Sequence, residues 1–383
     1  MRPPVSIVIV YHAGLGYLQA CLDSVLADVV PDDEIIVIAN NRNAHELDLP
    51  PFHPRIRIVK FAESLGYAGA SNAGAALASR NHLVFCDHDL VFLPGWLDQL
   101  WRSYSAVPDA GACSCQAINP HSLDILDFGI AFSPFNGAHP GLDLPQSHPL
   151  VAEDRIAQAV CTSGLLIGAA DFAAAGEFDV SFGSMYTDLD LCLKLKRLGR
   201  PVIASARARA LHFGGDVHMA GDKAYKASAI KADVKGAFMR KHADILEVDL
   251  DFYFGQAISH HIDKHGPFQH YVCCNLMNVA DPQWYEQQLA AGGLETDGIS
   301  RLPSGRRDAL NIGLFEQLGF DLMLSNNRIA YFVDRLSSVR GNEYWWSRRV
   351  GKDDLIIDRN ANILPAATVL SRQRQVGTAD GER

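Results

Sequence analysis

The hydrophobic pattern opens with Val5 to Val10, a run dominated by β-branched residues that predicts a fully buried strand of a parallel sheet. Tyr11 to Gly14 forms a loop, and Leu18, Leu22, Val25 and Leu26 then recur at helical spacing within Tyr17 to Leu26. Buried strands are predicted over Glu34 to Ile38 and over Ile56 to Phe61. LGYAGASNAG, from Leu65 to Gly74, matches neither dinucleotide-binding nor P-loop spacing and reads as a turn leading into a helix of small residues. Leu83 to Cys86 predicts another strand. Pro94 stands at a first helical position ahead of an apolar stripe of Trp96, Leu97, Leu100 and Trp101. Strand and helix patterns alternate, so the predicted fold class is α/β, a Rossmann-like, doubly wound, mostly parallel sheet with right-handed crossovers.

Between Pro108 and Val151 the pattern loosens into Pro, Gly, His and Ser, predicting a long functional loop region with short strands. Cys161 to Gly168 returns to a buried strand. A helix follows over about Asp188 to Leu198, with Leu191, Leu195 and Leu198 on its apolar side and Gly199 and Pro201 closing it. A Lys/Ala-rich helical segment from Asp222 to His242 leaves this first domain, placed at residues 1–245. Residues 246–370 are expected to form a smaller mixed accessory domain, and 371–383 a polar disordered tail. Within the second half, RIAYFVDRL is strand-like, while WYEQQLAAGGL and ALNIGLFEQLGFDLML are amphipathic. His261 and His265 have the i,i+4 spacing of a helical metal pair, but no H-E-x-x-H arrangement accompanies them and solvated histidines are expected. The aromatic run Glu343-Tyr344-Trp345-Trp346 offers a sugar-stacking surface or a subunit contact, and suits core packing equally well.

A length of 383 residues with 48% hydrophobic content supports two domains with a sizeable core. The formal charge of −10 argues against a nucleic-acid binder that works through a basic surface. Eight cysteines, mostly inside apolar runs and without paired C-x-x-C spacing, fit buried thiols in a reducing compartment. No stretch reads as a signal peptide or a membrane span, so a cytoplasmic protein is expected, with peripheral contact at a membrane surface left open.

Candidate chemistry gathers at three places. Asp87-His88-Asp89 follows the predicted strand at Leu83 to Cys86; in an extended segment both carboxylates leave on one side and reach one divalent cation, although Asp after a strand also serves as a turn former or cap. Thr187-Asp188-Leu189-Asp190 opens a helix. There Thr187 suits a cap and Asp190 the helix dipole, while Asp188 at a rigid helix start suits a general base. His212, in ALHFGG, ends a short strand before a glycine turn, where it is either structural or a metal ligand.

Taken together, VSIVIVYHAG, EIIVIANN, LGYAGASNAG, LVFCDHDLVFLPGWLDQL, GEFDVSFGSMY, TDLDLCLKLKRLG and ALHFGG resemble, in order and spacing, an inverting family-two glycosyltransferase of the GT-A fold, of the rhamnosyl- and galactofuranosyl-transferase-like branch. The resemblance covers about residues 4 to 240. It implies that Asp87 and Asp89 hold Mn2+ or Mg2+ on the donor's diphosphate, that His212 helps bind that metal, and that Asp188 takes the acceptor hydroxyl's proton. It further implies that Tyr11 and Asn40 meet the nucleobase and ribose, and that Gly66, Tyr67 and Asn72 lie beside the nucleotide. A nucleotide-diphosphate sugar is the implied donor; a glycan, lipid-linked or protein hydroxyl is the acceptor, in surface polysaccharide assembly. Two positions depart from the family pattern: Ala39 stands where an Asp is usual after the second strand, and Thr187 replaces the Glu of the ED pair. The competing expectations are a non-catalytic nucleotide- or glycan-binding module and a sugar-nucleotide nucleotidyltransferase. The latter wants a Gly-rich loop with Arg and Lys after the first strand, which YHAGLGY lacks.

Overall fold

A computed structural model describes residues 2–40, 53–61, 63–134, 136–183, 185–214, 234–266, 271–275, 282–291, 296–301, 328–340, 350–351 and 353–371. The chain divides into two compact units, residues 1–131 with 145–247, and residues 132–144 with 248–383.

The first unit is built on a ten-stranded sheet whose main path runs β10-β12-β6-β11-β4-β1-β2-β3. These are β1 (Ser6–Tyr11), β2 (Glu34–Ala39), β3 (Ile56–Lys60), β4 (His82–Asp87), β6 (Ala112–Ile118), β10 (Arg155–Ala157), β11 (Leu165–Gly168) and β12 (Val202–His212). β1, β2, β3, β4, β6 and β12 run one way, and only β10 and β11 oppose them on this path. The expected α/β architecture with a mostly parallel sheet is therefore present. β5 (Leu90–Phe92) and β7 (Ile125–Asp127) pair beside the path, on β12 and β6. β8 (Ala131–Phe132) pairs with β9 (Gly137–Ala138).

β1 is buried along its whole length because it lies between β2 and β4, with helices over both faces of the sheet. Ile7, Ile9, Ile35, Val37, Val84 and Cys86 point to one face, where they pack with helix α1 (Leu15–Leu26) through Leu18 and Leu22 and with helix α3 (Trp96–Ser105) through Trp96, Leu97 and Leu100. Val8 and Ile38 point to the opposite face, where helix α2 (Gly66–Leu77) lies so close that a Cβ on Gly74 would sit 2.3 Å from Val8 Cγ1. This near-contact is why the buried positions of the helix are Ala68, Ala70, Ser71 and Gly74. Phe85, Phe172 and Phe178 meet ring to ring, with centroids 4.9 to 5.3 Å apart, and Phe172 belongs to helix α4 (Ala169–Ala174).

Several elements differ from the sequence expectation. β6, seven buried residues in the centre of the sheet, falls in the stretch expected to be a loop region with only short strands. Its sequence, ACSCQAI, holds mostly small residues and one Gln, and carries little hydrophobic signal before Ile118. The strand expected over Cys161 to Gly168 is confined to Leu165–Gly168. Helix α3 starts at Trp96 behind Gly95 at φ 78°, so Pro94 lies outside it. Helix α5 (Thr187–Arg197) ends before Leu198, which is 46% exposed rather than on the apolar side. The cysteines expected to be buried thiols are so at Cys21, Cys86, Cys113, Cys115 and Cys192, with Cys161 half-buried, and none of these forms a disulfide.

Helix α6 (Val234–Lys241) ends the first unit, whereas helix α7 (Leu250–His265) belongs to the second. The second unit carries a five-stranded sheet in the order β14-β13-β15-β16-β17, formed by β13 (Tyr271–Asn275), β14 (Thr296–Arg301), β15 (Arg328–Val333), β16 (Leu355–Asp358) and β17 (Ile363–Pro365). All its pairings are parallel except β16 with β17. RIAYFV forms β15 as its pattern predicts, and Pro282–Ala291 forms helix α8. Asp358 accepts the amides of Asn360 and Asn362, and burial pushes its carboxyl up to about 7. The side chains of Asn360 and Asn362 in turn bind the backbone of His139, Gly141 and Leu142, which ties the 132–144 excursion into this unit. His261 is buried, not solvated as expected; burial first, then the neighbouring imidazoles of His265 and His260, push it down to about 4. ALNIGLFEQLGFDLML, His270, the aromatic run at 343–346 and residues 372–383 lie outside the described residues.

Gly74→Ala is expected to destabilise the first unit by about 1–3 kcal/mol, the usual cost of overpacking a tight core. Val8→Ala in the same chain should recover part of that loss, because it removes the methyl that the new Cβ would meet. Urea unfolding of the two single variants and the double variant measures the coupling; strictly additive losses would contradict this packing.

Candidate active site

The parallel register brings three strand ends into line. Val10 pairs with Asp87 and Tyr11 with Ala39, so the carboxyl ends of β1, β2 and β4 form one edge, the usual ligand side of an α/β sheet. Asp87 is the last residue of β4. His88 and Asp89 then turn the chain into β5, which returns antiparallel along β12 with Leu90 opposite His212. The Phe213 amide donates to the Asp89 carbonyl at 3.0 Å and closes this corner. Asp89 Oδ1 consequently lies 3.6 Å from His212 Nε2, and one ligand atom each from Asp87, Asp89 and His212 falls within 4.8 Å of the others. The residues converge for a reason other than the alternation expected of an extended segment: a turn separates the two carboxylates, and the β5–β12 pairing delivers the imidazole.

The recess is electrostatically loaded. Asp87 keeps some exposed surface but is ringed by protein, and its carboxyl is raised well above the ordinary range, by burial first and then by the charges of Asp89 and Asp188. Asp188 therefore lies near enough for its charge to act on Asp87. Tyr67, from the first turn of α2, places its hydroxyl beside Asp87 and Thr162 without a well-formed hydrogen bond to either; burial, then the Asp87 charge, raises the phenol. Two carboxylate oxygens and an imidazole nitrogen form a donor set suited to a hard or borderline divalent cation, whose metal–oxygen bonds run about 2.0–2.6 Å. The like charge already concentrated there would be relieved by such an ion.

Around this centre the other expected residues take different places. Asn40 stands at the end of β2, 6% exposed; its Oδ1 accepts the Leu65 amide at 2.7 Å and its Nδ2 donates to the Gly66 carbonyl at 3.0 Å. It thus braces the turn into α2, in which Gly66 adopts φ 68°. Asn72 makes a two-way amide pairing with the Phe178 backbone, at 2.9 and 3.1 Å, so its side chain clamps α2 to the turn at Phe178. The Tyr11 ring, 3% exposed, sits in the core edge-on to His88 with centroids 5.3 Å apart, so it presents no face for a nucleobase. The adjacent His12 carries more exposed surface.

Sequence reasoning missed two groups. His88, between the acidic residues, is 1% exposed; its Nδ1 lies 3.2 Å from the Val10 carbonyl and ties the turn to the end of β1. Asp190, expected only to favour the helix dipole, is fully buried and meets Lys194, Lys241 and His242. The i,i+4 spacing of Asp190 and Lys194 was a legible part of that cluster. Thr187, expected as the cap, is instead the buried first helical residue, and no side chain caps α5.

Residues 6–125 match the model of glycosyl transferase family 2. The chain is 28% identical over 221 residues to the O-antigen biosynthesis protein RfbC of Myxococcus xanthus, an alignment that takes in 55% of this chain and 17% of that protein. The chain thus spans under a fifth of that relative. A solved structure of GalNAc-T7 with UDP, GalNAc and Mn2+ superposes over 84% of this chain and 57% of its own, at 14% identity and a TM-score of 0.49. Among the described residues no helix is long and apolar enough to cross a membrane.

The ion cluster around Asp190 carries a pH dependence. Burial alone would raise the Asp190 carboxyl, but bonds from His242, Lys241 and Lys194 outweigh it and leave it lowered. Asp179 likewise falls to about 2, Lys241 and Ser181 overcoming its desolvation. A carboxyl lowered on folding contributes stability above its unfolded value of about 3.9 and loses it as pH falls through the folded value. Urea midpoints are therefore expected to drop between about pH 4 and pH 2. Lys241→Met should flatten that acid limb and converge with the unaltered protein at its bottom; an unchanged slope would count against the cluster.

Proposed function

We propose that this chain, whose residues 6–125 match the model of glycosyl transferase family 2, transfers a sugar from a nucleotide-diphosphate donor to a hydroxyl of a glycan, lipid-linked or protein acceptor, by a metal-dependent inverting displacement. The reading rests on one observation: Asp87, Asp89 and His212 meet at the carboxyl edge of the sheet, with Asp188 close enough for its charge to act on Asp87. The name of the Myxococcus relative supports surface polysaccharide assembly as the setting.

Asp87, Asp89 and His212 would hold Mn2+ or Mg2+, which as a Lewis acid offsets charge on the departing diphosphate. Asp188 has the task on the acceptor side. The acceptor oxygen forms a bond to the anomeric carbon as the bond from that carbon to the diphosphate oxygen breaks; the electron pair leaves with the diphosphate and the hydroxyl proton passes to Asp188. No covalent nucleophile is required, and attack from the face opposite the leaving group inverts the anomeric centre. A carboxylate serves because the hydroxyl proton becomes acidic as the new bond forms. Asn40 supports the donor side by holding the Leu65–Gly66 turn at the mouth of β2. With Ala39 in place of a carboxylate, the nucleoside is recognised without that acidic contact.

Hydrolysis of a panel of nucleotide sugars, with and without Mn2+, tests the class and names the donor; no metal-dependent hydrolysis of any of them would overturn it. Asp188→Asn is expected to lower turnover about 10²–10⁴-fold while leaving the donor KM nearly unchanged. Asp89→Asn and His212→Ala are expected to weaken Mn2+ binding, read by electron paramagnetic resonance titration, where Asp188→Asn does not. Near-normal turnover in Asp188→Asn would remove the base assignment and leave the metal assignment standing.

A further inference from the structure

Helix α5 begins without a side-chain cap, behind Tyr186 in a left-handed conformation at φ 62°. Its first turn therefore depends on tertiary anchors, and these gather on one residue. Asp190, two positions beyond Asp188, is fully buried. Its Oδ1 lies 2.8 Å from His242 Nε2 and 2.6 Å from Lys241 Nζ, and its Oδ2 lies 3.0 Å from Lys194 Nζ. Lys241 also reaches Asp179 at 2.7 Å and stands 5.0 Å from the centre of the Phe182 ring. Phe238, fully buried on α6, packs against Tyr186 with ring centroids 5.0 Å apart and against His242 at 5.1 Å. Arg197 pairs with Asp244 farther along α5. The start of α5, the end of α6 and the turn at Asp179 to Phe182 are thus joined around one buried carboxylate.

The direction of that anchor matters. Residues two apart on a helix point to nearly opposite sides, so Asp190 faces α6 while Asp188 points away from it, near enough to Asp87 for its charge to act there. A side-chain tip about 5–6 Å from a helix axis moves about 1 Å when the helix rolls by about 10°, and a displacement of that size can cost about 10²-fold in rate. Full burial and three cationic or imidazole partners exclude Asp190 itself from touching substrate.

We propose that His242 and Lys241 are positioning residues: by binding buried Asp190 they set the roll of α5 and so aim Asp188 at the acceptor hydroxyl. This rests on Asp188 being the base. A purely structural tie would lower the amount of folded protein, or slow the reaction independently of Asp188; an aiming device acts through Asp188 alone.

The test uses the full chain and, as probe, whichever nucleotide sugar the unaltered protein hydrolyses with Mn2+. His242→Ala is expected to lower kcat about 10–100-fold with the donor KM within about twofold, and His242→Gln, which can again donate to Asp190, to recover most of the loss. In an Asp188→Asn background His242→Ala should add little. Hydrogen exchange of the amides at 187–191 gives a reading independent of turnover: faster in His242→Ala, unchanged in Asp188→Asn. Lys241→Met, which leaves the His242 bond in place, should fold and shift kcat and exchange in the same direction by a smaller factor, and it carries the test should His242→Ala fail to fold. Unchanged kcat in both variants, or losses that multiply with that of Asp188→Asn, would overturn the proposal. Full activity of Asp188→Asn would instead overturn the base reading beneath it.

Discussion

The short antiparallel pairing of β5 with β12 is the constraint on which the site depends. β12 begins as a partner of β6, with Val202 opposite Ala112, and shifts register between Ser205 and Arg209. The Ser205 hydroxyl accepts the amides of Arg207 and Ala208, which holds the irregularity in place. Beyond it, Ala210, Leu211 and His212 pair with Phe92, Val91 and Leu90. A bulge here does what bulges beside active sites commonly do, re-aiming the end of a strand. Without it, the imidazole of His212 would not arrive beside a carboxylate that lies more than a hundred residues earlier in the chain.

The unit handles its buried charges in two ways. Asp33 is met by Arg2 and by the amides of Val5 and Val30, and Asp190 by two lysines and a histidine. Such groups are neutralised where they sit, as buried ions must be to avoid a large desolvation cost. Asp87, Asp89 and Asp188 instead act on one another, and the Asp87 carboxyl rises in response. Concentrated like charge in a recess is a costly arrangement that the surrounding residues do not neutralise, and this sets the Asp87 cluster apart from the paired carboxylates of the same unit. The same contrast separates Asp188 from Asp190, two residues apart in the first turn of α5.

The second unit has its own sheet and its own logic. Asp358, Asn360 and Asn362 form a compact polar turn between β16 and β17 that captures the backbone of residues 139–142. The excursion at 132–144 is thereby claimed by elements more than two hundred residues later. Its Pro, Gly and His content marks it as irregular but carries no sign of which core it joins.

Periodicity alone determined β1, β2, β4, helix α1 and the α/β class, because buried apolar runs and helical stripes are local signals. β3 was legible as a strand, but at the sheet edge none of its residues is fully buried, contrary to the expectation. The family motifs likewise identified Asp87, Asp89, Asp188 and His212 as candidates, since each lies in a short stretch of recognisable composition. Other features were set only by the tertiary structure. β6 is buried by its neighbours rather than by its own hydrophobicity, and the Tyr11 ring turns to the core because β1 alternates that way. Asn72 spends its amide on Phe178, and Asp190 becomes an ionic centre only because α6 returns to it. In each case the deciding partner is far away in sequence. A residue's own chemistry states which interactions it is able to make, whereas strand register and helix docking select the one it does make.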